Sequence, residues 1–331
     1  MALEGVGNML RDRNEILLDH AEILAFDVGG TRIKAGIVRG AEVSGLRIEL
    51  LPVQKDAASV IDALVRLGRQ VQAGHNVQTI GVSMKGIIDP VKGIILDVNE
   101  SLSDLIGLPF AQDLAQAFQL PVFVENDARM YTAGEMLCGA GRQVENLLCL
   151  TLGTGIGCGV ALQRHVLRGG RGLFGIIGGH ITVQIDGPRC TCGNIGCLEA
   201  FIGTAPLLKK ATELYTAANK TLPEKEGWTP QYIFASAENG DQTACEVVAY
   251  FARYLSAGIV SLIHAYDPDI VVLGGGIAGS FQQFLPAVQT YVDEHTWTYP
   301  RGGIRVKTAE LGDTAALVGV AALARSIDIL L

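Results

Sequence analysis

The segment Ile23-Leu-Ala-Phe-Asp-Val-Gly29 returns later in the chain as Leu147-Leu-Cys-Leu-Thr-Leu-Gly153, position for position. This repetition restricts the possible folds more than any other feature. In the first copy an apolar run, Ile23 to Val28, meets a glycine turn and a second apolar run, Ile33 to Val38. A further β-like run follows, Leu46 to Val53. Val60, Ile61, Leu64, Leu67 and Val71 then recur at helical spacing, and strand character resumes at Thr79 to Ser83 and Gly93 to Val98. Phe110 to Phe118 reads as a helix ended before Pro121, and Val122 to Val124 as a short buried strand. After the second hairpin comes a glycine-rich, cysteine-bearing insertion, Gly169 to Glu199. Helices are expected at Pro206 to Ala218, Ala244 to Tyr266 and Phe281 to Glu294, strands at Ile270 to Leu273 and Ile304 to Thr308, and a last helix at Ala315 to Arg325. A hairpin followed by alternating helices and strands, given twice, predicts two α/β lobes with a cleft between them, the place where ligands bind. The expected division is a 1–22 extension, a small lobe of 23–126 plus 315–331, and a large lobe of 127–314 carrying the insertion.

The bulk numbers remove other classes. With 331 residues, 49% hydrophobic and 18% charged, the chain can bury two ordinary cores and is not of the disordered type. Its apolar runs are broken well before the roughly 18 residues of a membrane span, and the charges among Met1 to Asp19 argue against a signal peptide, so a cytoplasmic protein with no membrane partner is expected. Seven cysteines, an odd number, suit free thiols or metal ligands in a reducing compartment. A net charge of −8 speaks against a nucleic-acid partner.

Three glycine runs are candidates for holding phosphates. Asp27-Val-Gly29-Gly30-Thr31 lies at the tip of the first hairpin, where glycines let backbone amides approach phosphate oxygens, Thr31 adds a hydroxyl and Arg32 follows. Gly153-Thr154-Gly155-Ile-Gly157 offers the same at the second tip, and Gly274-Gly275-Gly276 follows the strand Ile270 to Leu273 and suits a nucleotide base or ribose. Any one of these alone is equally an ordinary tight turn; two in register across a duplication point to a polyphosphate clamped from both sides. Asp27 is the acid at the first tip, suited to the Mg²⁺ of a nucleoside triphosphate.

Cys190-Thr-Cys192-Gly-Asn-Ile-Gly-Cys197 puts three thiols within a short glycine-bearing loop, with His180 as the nearest upstream imidazole, at the start of a β-like segment Ile181 to Ile185. That set matches a closed, structural zinc site, whereas Cys138, Cys149, Cys158 and Cys245 read as core packing. The strand Val122 to Val124 leads into Glu125-Asn126-Asp127. Asp127 suits two tasks there: N-cap of a helix from Ala128 to Leu137, or acceptor of a hydroxyl proton during phosphoryl transfer. Asn126 can bond a polyol, and so can Glu199, two residues past the last thiol.

These residues resemble the ROK sugar kinases, which include glucokinases, fructokinases and N-acetylhexosamine kinases on the duplicated, ribonuclease H-like, actin/hexokinase-like fold. The likeness runs from about Ile23 to the C-terminus. It is carried by Asp27-Val-Gly-Gly-Thr31, Glu125-Asn-Asp-Ala128, Gly153-Thr-Gly-Ile-Gly157, Gly274-Gly-Gly276 and, most specifically, the Cys190 to Glu199 signature with His180 before it. The resemblance implies ATP-dependent phosphorylation of a hexose or hexose derivative. Asp127 would be the general base, Asn99, Asn126, His180 and Glu199 sugar contacts, ATP and Mg²⁺ cosubstrate and cofactor, zinc a structural ion, and a homodimer the assembly.

Two departures stand out. Members usually carry Glu-x-Gly-His up to the zinc histidine, with that Glu on a sugar hydroxyl; here the residues are Ile177-Gly-Gly-His180, so sugar specificity is expected to differ from a typical glucokinase. Met84-Lys85-Gly86 stands where a Pro-Gly pair is common. The alternatives are an N-acylhexosamine kinase, a catalytically idle member, and a sugar-sensing regulator. Regulators of the family carry an N-terminal DNA-binding module, and the 22 residues before Ile23 are too few for one.

Overall fold

In the computed structural model, residues 21–54, 56–98, 100–224 and 227–325 are described; the expected extension, apart from its last two residues, lies outside them. The chain divides into two compact units. The first takes the residues up to Gln143, then Gln163–Phe174 and the C-terminal stretch from Asp313; the second takes Val144–Leu162 and Gly175–Gly312.

In the first unit, strands β1 (Glu22–Val28), β2 (Arg32–Arg39), β3 (Glu42–Leu50), β4 (Val77–Met84) and a later β7 (Val122–Asn126) form one sheet. A separate two-stranded ribbon holds β5 (Ile87–Asp89) and β6 (Ile94–Asp97). The sheet order is β3-β2-β1-β4-β7, antiparallel from β3 to β1 and parallel from β1 to β7. Ile23, Leu24, Ala25, Phe26 and Val28 are all buried, as a continuous apolar run in a central strand must be when both sheet faces are covered. Helix α1 (Ala57–Val71) starts at Asp56, whose carboxylate accepts from Ser59 N at 2.9 Å; of the stripe read from the sequence it buries Val60, Leu64, Leu67 and Val71 and leaves Ile61 half-buried. Helix α2 (Phe110–Phe118) has the expected bounds.

Strand β7 runs directly into helix α3 (Asp127–Cys138). The sequence reading gave this helix to the large lobe, but here it packs in the first unit against the C-terminal helix Ala315–Ala324. Small residues cause the difference: a Cβ on Gly134 would stand 2.0 Å from Ala315 O, and one on Gly319 would stand 1.9 Å from Met130 O. The two backbones meet with no side chain between them. A Cβ on Gly81 of β4 would likewise meet Val320 O at 2.8 Å.

The second unit repeats the plan. Strands β8 (Leu147–Leu152), β9 (Ile156–Leu162), β10 (Ile270–Gly274) and β11 (Arg305–Thr308) lie in the order β9-β8-β10-β11, with β8/β9 antiparallel and β8/β10 and β10/β11 parallel. This is the order and sense of β2-β1-β4-β7, so the repeated hairpin belongs to a repeated sheet. Its longer helices are α4 (Thr204–Ala217), α5 (Pro230–Glu238), α6 (Gln242–Tyr266) and α7 (Phe281–His295), and the last helix among the described residues is α8 (Ala315–Ala324). Helix α6 is long and apolar enough to cross a membrane, but Val247, Phe251, Leu255, Ile259, Leu262 and Ile263 are buried in its own unit. Helix α5 was not foreseen. Thr229 caps it, accepting from Tyr232 N at 3.2 Å, with Pro230 in its first turn. The expected strand Ile181 to Ile185 is absent: only Thr182 makes a β-bridge, to Cys197, because the segment's backbone instead ties down the cysteine loop (Val183 N to Gly196 O 2.8 Å, Leu198 N to Ile181 O 3.0 Å).

Candidate active site

Within the first unit, the register of the parallel strands brings Asp27, Ser83 and Glu125 side by side at the carboxyl ends of β1, β4 and β7. That rim is where open α/β sheets bind ligands. Ser83 Oγ donates to Asp27 Oδ1 at 3.0 Å, and Lys34, opposite Asp27 across the hairpin, places Nζ 3.5 Å from Asp27 Oδ2 and 2.7 Å from Asp313 Oδ1. Burial raises the Asp27 carboxyl above its ordinary range, opposed by the Lys34 ammonium. Beside Asp27 the tip Gly29-Gly30-Thr31 is closed by Gly29 N donating to Arg32 O at 3.0 Å, and Thr31 and Arg32 are exposed.

Asp127 is the first residue of α3, but it is not the cap expected from the sequence. Asn126 is: its Oδ1 accepts from Arg129 N at 3.0 Å. Asn126 Nδ2 donates to Gly86 O at 2.8 Å and to Asp127 Oδ1 at 3.0 Å, and Ala128 N donates to the same Oδ1 at 2.8 Å. Capping by the neighbour leaves Asp127 with one oxygen pinned and, among the described residues, no hydrogen bond to Oδ2. Its carboxyl is pushed up to about 6, first by burial and then by the charge of Asp27, against the Ala128 amide and Lys85. A half-buried carboxylate near neutrality is the state a general base needs.

Within the second unit, Gly153-Thr154-Gly155 makes the tip between β8 and β9, and Gly153 N donates to Gly155 O at 3.1 Å. Gly157 is not part of that tip; it sits inside β9 opposite Thr151, where its backbone is committed to the ladder. Glu199 braces the turn, with Oε2 accepting from Ile156 N at 2.8 Å, and a Cβ on Gly155 would collide with it at 2.3 Å. Thr204 Oγ1 holds Gly153 O at 2.8 Å. The third glycine run adjoins the second: Gly275 has φ +94°, and a Cβ there would lie 2.4 Å from Leu152 O, so only glycine fits. Gln231 Nε2 donates to Gly276 O at 2.8 Å.

His180, Cys190, Cys192 and Cys197 converge, with their ligand atoms all within 4.8 Å of one another. Cys192 Sγ lies 3.7 Å from Cys197 Sγ, and Cys190 Sγ lies 3.5 Å from His180 Nδ1. With Zn–S near 2.3 Å and Zn–N near 2.0–2.1 Å, tetrahedral edges come to about 3.7 Å for S to S and about 3.5 Å for S to N. The donor set fits zinc and leaves no open position. His180 ends the turn Gly178–His180, which lies flat on β9: a Cβ on Gly178 would meet Cys158 Sγ at 2.4 Å, and one on Gly179 would meet Ile156 O at 2.1 Å. Ile177, just before the turn, is 50% exposed despite being apolar.

A model of the ROK family matches residues 23–327. The chain belongs to the ROK family. Its fold is the actin/hexokinase-like one. Glucokinase of Halalkalibacterium halodurans is 32% identical over 88% of this chain and 92% of its own. The Streptomyces griseus ROK glucokinase, solved with glucose and AMPPNP, superposes with a TM-score of 0.82 at 28% identity, covering 92% of this chain and all of that one. A ROK transcriptional regulator, homolog of the E. coli MLC protein, has the same TM-score of 0.82 at 25% identity, over 93% of this chain and 78% of its own.

For this ROK chain, the first unit assembles Asp27, Gly29, Gly30, Thr31, Arg32, Asn126 and Asp127, and the second assembles His180, Glu199, the cysteines and the other two glycine runs. Asn99 lies outside the described residues. Sequence reasoning missed Ser83, Lys34, Lys85 and the buried pair Glu125–Arg129 with Arg168. A polar residue within an apolar strand marked Ser83, and i,i+4 spacing marked Glu125 and Arg129. Nothing in the sequence marked Arg168.

Proposed function

We propose that the chain is an ATP-dependent sugar kinase in which Asp127 is the general base. The observation that carries this reading is the division of labour at the β7–α3 junction: Asn126 caps the helix, so Asp127 has an oxygen with no hydrogen bond among the described residues and a carboxyl near 6 beside a second acid. In the step, a sugar hydroxyl oxygen attacks the γ-phosphorus. The new O–P bond forms as the bond to the bridging oxygen breaks, ADP leaves, and the hydroxyl proton passes to Asp127 Oδ2.

The roles of the other residues follow from their chemistry. The turn backbones Gly29–Thr31 and Gly153–Gly155, closed by the Gly29 and Gly153 amides, and the hydroxyls of Thr31 and Thr154 suit phosphate oxygens, with Arg32 as a further cation, and Gly274 to Gly276 suit the adenosine. Asp27, a hard oxygen donor next to another acid, fits Mg²⁺, which would supply charge neutralisation when bound. Zinc on His180 and the three thiols would fix the loop that leads to Glu199. With Nδ1 toward the metal, His180 keeps Nε2 for a hydroxyl, as Glu199 keeps its second oxygen; Asn126, whose two amide hydrogens go to Gly86 O and Asp127 Oδ1, can offer a hydroxyl only the second lone pair of its Oδ1.

A coupled ADP-release assay over hexoses and N-acylhexosamines tests the reading; folded, zinc-loaded protein that turns over none of them rejects it. Ile177 favours the second group of substrates. An exposed isoleucine accepts no hydrogen bond from a facing hydroxyl but offers apolar surface to an acyl group. The regulatory reading predicts sugar binding without ADP release.

A further inference from the structure

Glu125 is wholly buried, and both of its oxygens are occupied. Oε1 accepts from Arg129 Nη1 and from Asn126 N (2.8 Å); Oε2 accepts from Arg168 Nε at 2.9 Å and pairs with Arg168 Nη2 at 2.6 Å. The Arg129 side chain is also 0% exposed, and its remaining donors reach Leu167 O at 3.0 Å and Gly172 O at 2.9 Å. The Arg168 side chain is 27% exposed.

A carboxylate between two guanidinium groups inside a unit contributes little net stability compared with well-packed apolar residues of the same volume. What such a network supplies is fixed geometry, because each hydrogen bond has one direction and a misplaced partner leaves a buried charge unmatched. The network here brackets one residue. Glu125 stands two positions before Asp127 and Arg129 two positions after it, and Glu125 Oε1 grips the chain on both sides, through Asn126 N and the Arg129 side chain. Asn126, held in this way, is the residue that bonds Asp127 Oδ1 and Gly86 O. The same Arg129 fastens the Leu167–Gly172 stretch, which returns to the first unit after β8 and β9 have left it.

We propose that Arg129 and Arg168 are positioning residues: through Glu125 they hold the carboxylate of Asp127 at the angle that proton transfer requires. The inference rests on the kinase reading above. Arg168 is the informative site, because its partly exposed side chain can be replaced without opening the core, whereas a variant at Arg129 risks misfolding.

Arg168→Met and Arg168→Lys would be compared with wild type in steady-state kinetics for both substrates and in amide hydrogen exchange. Arg168→Met should lose roughly tenfold to 100-fold in kcat, with both KM values within about threefold of wild type. Arg168→Lys, which keeps the charge and one hydrogen bond, should recover part of that loss. Exchange at Gly86 and at Asn126 to Arg129 should quicken about tenfold in Arg168→Met, while the rest of the unit keeps its protection. Unchanged kcat with unchanged exchange overturns the proposal. So does a loss that falls wholly on KM for ATP, which would make Arg168 a direct ligand. If wild type phosphorylates no sugar, the kinase reading fails first, and the exchange result alone decides whether Arg168 orders the Asp127 junction.

Discussion

A carboxyl group that accepts a proton from an alcohol works best when its own pKa lies close to the working pH. Burial and Asp27 bring Asp127 to about 6, so kcat should rise with pH through that value as the base ionises. Lys85 pulls in the other direction. Replacing Lys85 with Met should move the acid limb of the pH–rate profile upward, and a downward or absent shift would contradict the assigned environment. The same shift carries a stability sign. The folded state holds its proton up to about 6 and the unfolded chain only to about 4, so folding is favoured below pH 4 and that advantage is lost as pH rises through 6. At pH 7 ionised Asp127 is therefore a destabilising residue. Asp127→Asn, whose Oδ1 can keep both hydrogen bonds, should be more stable than wild type by about 1 kcal/mol at pH 7, after allowing for partial solvent screening, and equal to it near pH 3 by urea denaturation. A less stable variant at pH 7 would refute this.

At the level of elements, helices α3 and α8 touch backbone to backbone, so the contact depends on hydrogen as the side chain. Gly319→Ala should cost about 2–3 kcal/mol, since its Cβ would enter the space of Met130 O, and a neutral result would rule out the close crossing. Zinc removal belongs to this scale too. Chelation should lower the melting temperature by about 5 °C or more and quicken amide exchange in the Cys190–Glu199 loop. Much of this scale was legible in the sequence. Apolar runs of strand length gave β1, β8 and β10, helical spacing gave α1 and α6, and cysteine spacing gave the clustering of the thiols, because each depends on local pattern. What escaped depends on long-range neighbours. The segment 181–185 has strand-like residues but spends its backbone on the cysteine loop. Asn126 and Asp127 are equally good caps by composition, and only the geometry of Gly86 and Arg129 chooses between them. Gly157 reads as part of a turn until its pairing with Thr151 is known.

Across the whole molecule the duplication has been put to unequal use. Both sheets keep the same order and sense, and both hairpin tips are glycine turns, yet the first copy carries paired acids at its strand ends while the second carries the cysteine loop and the third glycine run. The same fold serves a glucokinase and a transcriptional regulator at equal structural similarity, so fold alone does not decide between catalysis and sensing. On the proposed reading, the carboxylate at position 127 carries the chemistry. The most direct test is ³¹P NMR of ATP incubated with the preferred sugar and either wild type or Asp127→Asn. The account predicts a sugar-phosphate resonance growing with wild type and a rate at least about 100-fold lower for the folded variant; a variant that forms product at the wild-type rate would contradict it.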